Sequence, residues 1–271
     1  MKFKVKARTL AAVAGVLTAF ALPVSAAQAA TFAPGYEQFG PGCPSQAEKP
    51  AVETCMRAEI KSGHFQMGNK DVPISKPMAL TAGVTGFNEW VAGHLTPVKQ
   101  QVPGGVIGLT GLDWLVNFLS LEGLKLYAVT ELAGTPNVSN PENVQLPVKV
   151  HLINPVLGNN CYVGSNSNPI NLNLTIGTTS PPPPNTPISG SPPEFGFEPV
   201  REIVEFNNIK YVDNSFAAPG ASGCVLTLFG FIPISINGLV NSQSGLPSPA
   251  GTNETIQNQD LHLARVQLVH P

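Results

Sequence analysis

One stretch constrains the fold more than any other: residues 144–176, VQLPVKVHLINPVLGNNCYVGSNSNPINLNLTI. Val144, Leu146, Val148, Val150 and Leu152 fall on one side of an extended chain, and Gln145, Pro147, Lys149 and His151 on the other. The pattern returns in Ile170, Leu172, Leu174 and Ile176, set against Asn171, Asn173 and Thr175. A period of two sustained this long marks strands with one buried and one wet face. Between the runs lie the turn residues Asn154-Pro155, Gly158-Asn159-Asn160, Gly164 and Asn168-Pro169, together with Cys161. The stretch predicts the middle of an antiparallel β domain pinned by a disulfide.

The rest of the chain extends that reading. Val52 to Lys61 alternates and predicts a first strand that Gly63 breaks. HFQMGNKDVPIS then reads as a hairpin with Gly68-Asn69 in its turn and Pro73 at an edge or bulge. Met78 to Val84 predicts another strand, and residues 86–111, which contain VPGGVIG, a loop. LDWLVNFLSL, Leu112 to Leu121, is the best helix candidate, with Asp113 as N-cap and Gly123 past its end. LKLYAVTELA predicts a strand that pairs with residues 144–152. Thr179 to Pro193, TSPPPPNTPISGSPP, cannot enter a central strand, because proline has no backbone donor. It is expected to be a surface loop at 179–193. Arg201 to Phe206 and Ile209 to Asp213 read as a hairpin across Asn207-Asn208. CVLTLFGFIPISI reads as a buried strand starting at Cys224, with a short helix around Pro233 to Val240. Asp260 to His270 reads as a terminal strand. The sum is an all-β fold, an antiparallel sandwich or partly closed barrel of roughly ten strands, with one or two short helices and two disulfides.

The first residues are an address. Lys2, Lys4, Lys6 and Arg8 precede an apolar run, Leu10 to Leu22, and Ala27-Gln28-Ala29 offers a cleavage site. Residues 1–29 are therefore expected to be a signal peptide and 30–271 a single β-rich secreted domain. The apolar run is short of the roughly 20 residues that a membrane helix needs, so no stable span is expected after cleavage. The leader holds four of the fifteen basic residues and no acid, which leaves eleven against seventeen, a net charge of −6. No basic stripe survives, and nucleic acid is excluded as a natural partner. With 26 glycines, 27 prolines and 12% charged residues, the composition suits short strands and turns better than helices with charged faces.

Cys43, Cys55, Cys161 and Cys224 all lie beyond the leader, as expected of an exported protein with two disulfides. Cys43 and Cys55 enclose eleven residues, PSQAEKPAVET, a local clip. The favoured pairing is Cys43 with Cys55 and Cys161 with Cys224, the other two pairings being open on sequence alone. No Cys-x-x-Cys or Cys/His spacing suggests a metal.

The order SGHFQMGNKDVPISKPM, VPGGVIGL, LPVKVHLINPVLGNNCYVGSNSNPI, TSPPPPN, VDNSFAAPGASGC and GLPSPAG resembles a group of secreted proteins of actinobacteria that share a Cys-Pro start and similar spacing. The resemblance covers most of the mature chain and implies a common β-rich extracellular fold with paired cysteines. It carries over no catalytic residues.

Local chemistry is sparse. The nucleophile elbow Gly-x-Ser-x-Gly is absent, the nearest run being Gly220-Ala-Ser222-Gly-Cys224. His64, His151 and His262 fall in predicted strands, and His94 alone sits where a loop is expected. Glu194, Glu198, Glu202 and Glu205 cluster, but read as the solvated side of a hairpin. The Asn159-Asn160 and Asn166-Ser167-Asn168 turns offer amides to a sugar, yet turns select such residues for backbone reasons. No catalytic, cofactor-binding or metal residue is expected. The function expected first is a non-enzymatic structural or binding protein of the bacterial cell surface or medium, partnered by a cell-envelope component. The alternative is a carrier of an apolar ligand or lipid, since a β-barrel can enclose a cavity. A hydrolase without a local motif comes third.

Overall fold

A computed structural model of the chain describes residues 31–86, 88–117, 119–228 and 232–271. The expected signal peptide lies outside them. The chain forms a curled antiparallel sheet, a half-barrel. Strands β1 (Thr54–Met67), β2 (Lys70–Pro73), β3 (Met78–Val84), β4 (Trp90–Leu95) and β5 (Gln100–Gln101) come first, followed by helix α1 (Gly105–Thr110). Next are β6 (Tyr127–Leu132), β7 (Asn143–Ile153), β8 (Tyr162–Val163), β9 (Ile170–Thr175), β10 (Glu194–Glu198), β11 (Ile203–Asp213) and β12 (Ala221–Ser222). A ribbon, β13 (Val225–Leu228) and β14 (Ile232–Ser235), then leads to α2 (Asn237–Ser244), β15 (Glu254–Arg265) and α3 (Val266–Val269).

Thirteen strands share one sheet, whose main path is β12-β8-β7-β9-β11-β15-β1-β3-β4. β6 lies on the other edge of β7, with β5 beyond it, while β10 pairs with β11 and β2 with β1. β7 and β9 behave as their pattern demands. Leu146, Val148, Val150, Leu152, Ile170, Leu172 and Leu174 are buried, and the residues between them face outward. β3 is buried along its whole length. β9 and β11 meet at a single residue pair, Thr175 with Val212. Buried Asp213 reinforces that seam by accepting the backbone N–H of Asn173 at 2.7 Å.

Four sequence expectations are corrected. Gly63 does not end the first strand. β1 continues through it to Met67, with a bulge between Ile60 and Ser62. Gly63 adopts φ 134°, and a Cβ there would lie 1.8 Å from the carbonyl oxygen of Ile256, so only glycine fits. Asn207-Asn208 is likewise a bulge inside one strand, β11, and not a hairpin turn. LDWLVNFLSL forms only a short 3₁₀ turn, Asp113–Asn117, while the helix falls in the predicted loop as α1. CVLTLFGFIPISI does not run as one buried strand. β13 and β14 pair only with each other, and Ile232 and Ile234 are exposed. Among the described residues there are three α-helices and fifteen strands, more of each than expected.

Both disulfides form as favoured, Cys43–Cys55 and Cys161–Cys224, and all four cysteines are buried. The second fastens the base of the β13–β14 ribbon to the barrel. The proline run lies on the surface between β9 and β10. Asn185 pins it, donating its backbone N–H to Gly251 O at 3.0 Å and its side-chain amide to Asn214 O at 2.9 Å and Asn253 O at 2.8 Å.

Candidate functional site in the barrel interior

The inward faces of the curled sheet enclose a cavity of about 100 Å³. β7 supplies Leu146, Val148 and Val150 to its wall, and β9 supplies Leu172 and Leu174. β1 supplies Met56, Ala58 and Ile60 before its bulge and Phe65 and Met67 after it. The extra residue of a bulge reverses the alternation, which is why even positions give way to odd ones. Bulges at barrel positions also increase strand bend and twist, so the device that rephases the side chains helps to curl the sheet.

A second hollow, an open groove of about 440 Å³, adjoins the first. Met56, Val138, Pro141, Tyr211 and Leu261 line both. Beyond them the groove is walled by Ile176, Pro192, Pro193, Phe195, Phe206 and Leu263. Phe195 is 73% exposed at its rim and meets Phe206 edge to face, the ring centres 5.9 Å apart. Glu142 is the one charged residue in its lining. The proline run thus ends at the groove: Pro192 and Pro193, at its close, form part of the wall.

Polar side chains in the cavity lining are Gln100, Thr130, Tyr211, Gln257 and Gln259. Gln100 is engaged at both ends of its amide. Its Oε1 accepts from the backbone N–H groups of Ser75 and Lys76 at 3.0 and 3.1 Å, and its Nε2 donates to Lys76 O at 2.7 Å. The Tyr211 hydroxyl donates to Pro141 O, and burial pushes its pKa up to about 12. Gln257 is 5% exposed, yet among the described residues its Oε1 has no hydrogen-bond partner. An unpaired buried amide oxygen costs about 1–3 kcal/mol, so a native fold rarely leaves one without use.

The chain matches no protein-family model, no curated protein and no solved structure. The site is therefore read from its own chemistry.

The residues singled out by sequence lie elsewhere. His64 is held between two carboxylates, Nδ1 2.9 Å from Asp71 and Nε2 3.2 Å from Glu254, so both ring nitrogens are engaged. His151 stacks on Tyr162 with ring centres 4.3 Å apart and meets Asn159 O at 3.1 Å. Lys149 and Glu131 complete a polar group on that outer face. His94, expected in a loop, is an exposed residue of β4, paired with Thr81. His270 lies against the Cys43–Cys55 bridge, but bonded sulfurs are poor metal ligands and its Nε2 already meets Cys43 O at 3.0 Å. In the acidic cluster Glu198 binds Arg201, Glu202 binds Arg265 and Glu194 accepts from Asn208. Asn168 and Asn171 line a shallow trough with Pro169, Pro219 and Pro249, whereas Asn159 lies by His151.

Sequence reasoning missed Tyr211, Gln257 and Gln259. A signal existed in ETIQNQDLHLAR, where Thr255, Gln257, Gln259, Leu261 and Leu263 share one strand face. Two glutamines continue an apolar stripe, an arrangement that places amides inside a core.

Proposed function

We propose that this protein is a secreted, non-enzymatic binding protein whose half-barrel carries an elongated apolar molecule. The observation that carries the reading is an apolar cavity set directly beside an apolar, surface-open groove, with five residues common to the two linings. Ligand sites of this kind are concave, mostly apolar and furnished with few polar groups. A 100 Å³ hollow in a core costs about 2 kcal/mol of lost packing, which a bound chain would restore. Secretion is supported by two formed disulfides and by the leader-like start of the sequence. Among the described residues no helix is long and apolar enough to cross a membrane. The resemblance to secreted actinobacterial proteins points to the same setting.

The test is native mass spectrometry of the protein purified from culture medium, joined to a fluorescence titration with an apolar dye. Extra mass matching an aliphatic compound, or saturable dye enhancement abolished by Leu261→Trp at the shared wall, is the expected result. A folded protein with neither sends the reading back to a surface structural protein.

A further inference from the structure

Resting on that reading, we propose that the ligand is an alkyl alcohol that enters hydroxyl first and is recognised by Gln257. β15 grades the passage from mouth to depth. Leu263 lines the groove alone, Leu261 lines both hollows, and Gln259 and Gln257 line the cavity alone. At about 3.3 Å per residue, the six steps from 263 to 257 span roughly 20 Å, a length comparable with that of an extended alkyl chain. The route is thus apolar for its outer half and ends on two buried amides.

The head group follows from what faces those amides. Tyr211 stands opposite Gln257 in the ladder and Ile209 opposite Gln259, while Gly63, on the other side of Gln257, has no side chain. The Gln100 oxygen and the Tyr211 proton are engaged within the protein, whereas among the described residues Gln257 Oε1 has no partner. Among the described residues no cationic side chain lines the cavity or the groove, so a carboxylate or phosphate head would enter without compensation. A hydroxyl carries no charge and both donates and accepts, so it satisfies the amide whichever way its oxygen and nitrogen are turned. The structure therefore selects a neutral alcohol over a fatty acid of the same length.

The experiment is competitive displacement of an apolar dye from the intact protein by decanol, decane and decanoate, with Gln257→Leu measured alongside. In the native protein decanol should bind roughly tenfold tighter than decane, the worth of one buried hydrogen bond, and decanoate should trail both. Gln257→Leu should erase the preference for decanol while decane binds as well or better. Equal binding of decanol and decane by the native protein, a preference for decanoate, or a preference for decanol that survives in Gln257→Leu each overturns the inference but leaves an apolar carrier standing. Displacement by none of the three overturns the carrier reading itself.

Discussion

The backbone N–H of Asn208 donates to the carboxylate of Asp260 at 2.9 Å. Asn208 lies in the bulge of β11, at φ 60°, where its N–H has left the sheet ladder. The same carboxylate receives Lys61 Nζ at 2.7–2.8 Å, and Lys61 is the extra residue in the bulge of β1. β15 runs unbulged between two bulged neighbours, and a single outward side chain holds both irregularities in place. On the inner face at this level stand Ile60, Ile209 and Gln259, so the clasp and the cavity are two sides of one feature.

Asp260→Asn should therefore cost about 1 kcal/mol at neutral pH, because the amide oxygen can still accept the bulge N–H but without the charge that strengthens the bonds from Asn208 and Lys61. Lys61→Ala should cost less, since an exposed ion pair contributes little. The loss should depend on pH. Desolvation raises the Asp260 carboxyl, but the hydrogen bonds from Lys61 and Asn208 and the nearby charges outweigh it, leaving it below its ordinary 3.8. Its stabilisation is present above that value and fades as pH falls through the lower folded value. Urea midpoints of wild type and Asp260→Asn should converge in strong acid; a constant gap would refute this assignment.

Tyr211→Phe keeps the ring in the wall of both hollows and removes the donor to Pro141 O, at a cost of about 1 kcal/mol. The folded hydroxyl holds its proton to about pH 12, above the ordinary 10.0. The folded state thus binds more protons than the unfolded state between those values, and stability falls as pH rises through them. Absorbance titration should show a late tyrosine that is absent from Tyr211→Phe, beside Tyr162, which burial and Glu131 also push up, and the variant should lose less stability across that window.

How much of this was legible depends on where the information resides. β3, β7 and β9 could be read directly because each obeys one phase from end to end. β1 and β11 were cut short at Gly63 and Asn207-Asn208, since a bulge is defined by the partner strand and looks like a break when read alone. α1 was hidden by its glycines; Gly104 and Gly111 bracket it at φ 79° and 68°, which reads locally as a turn. The apolar β13–β14 segment reads as core because hydrophobicity is its main cue, yet among the described residues its strands pair only with each other, and Leu226 packs on the core while Ile232 and Ile234 are exposed. The site escaped for a related reason. Gln257 and Gln259 acquire meaning only when the sheet curls and brings strands from across the chain around them.

The two disulfides should differ in worth. Cys161–Cys224 closes 63 residues and Cys43–Cys55 closes 12. In the chain-entropy account the paired serine variants should lose about 4 and about 3 kcal/mol respectively. Denaturant melts of the two double variants decide it. An equal or reversed order would indicate that native-state contacts outweigh loop entropy.

Asn185→Ala should loosen the proline run by removing its side-chain bonds to Asn214 O and Asn253 O, while Asn214 Nδ2 still holds Thr186 O. Limited proteolysis should then cut within residues 180–193 several times faster than in wild type. The nicked fragments should stay associated until reduction and denaturation, because the cut lies between Cys161 and Cys224. Fragments that separate under non-reducing conditions would show that Cys161 and Cys224 are not bridged, and bridged fragments that melt in two independent transitions would show that the run joins two independent units.

The position of β15 has a consequence for the order in which the chain can mature. Among the described residues, the strands up to β4 and those from β6 to β11 are joined in the ladder only through β15, which follows all of them along the chain. Until it arrives, β1 and β11 each present a long unpaired edge, the kind of surface on which chains cross-pair with one another. A nascent or prematurely terminated product is therefore two open half-sheets and not a smaller version of the finished protein. Productive assembly is a closing event, made by the segment that also carries the two buried glutamines.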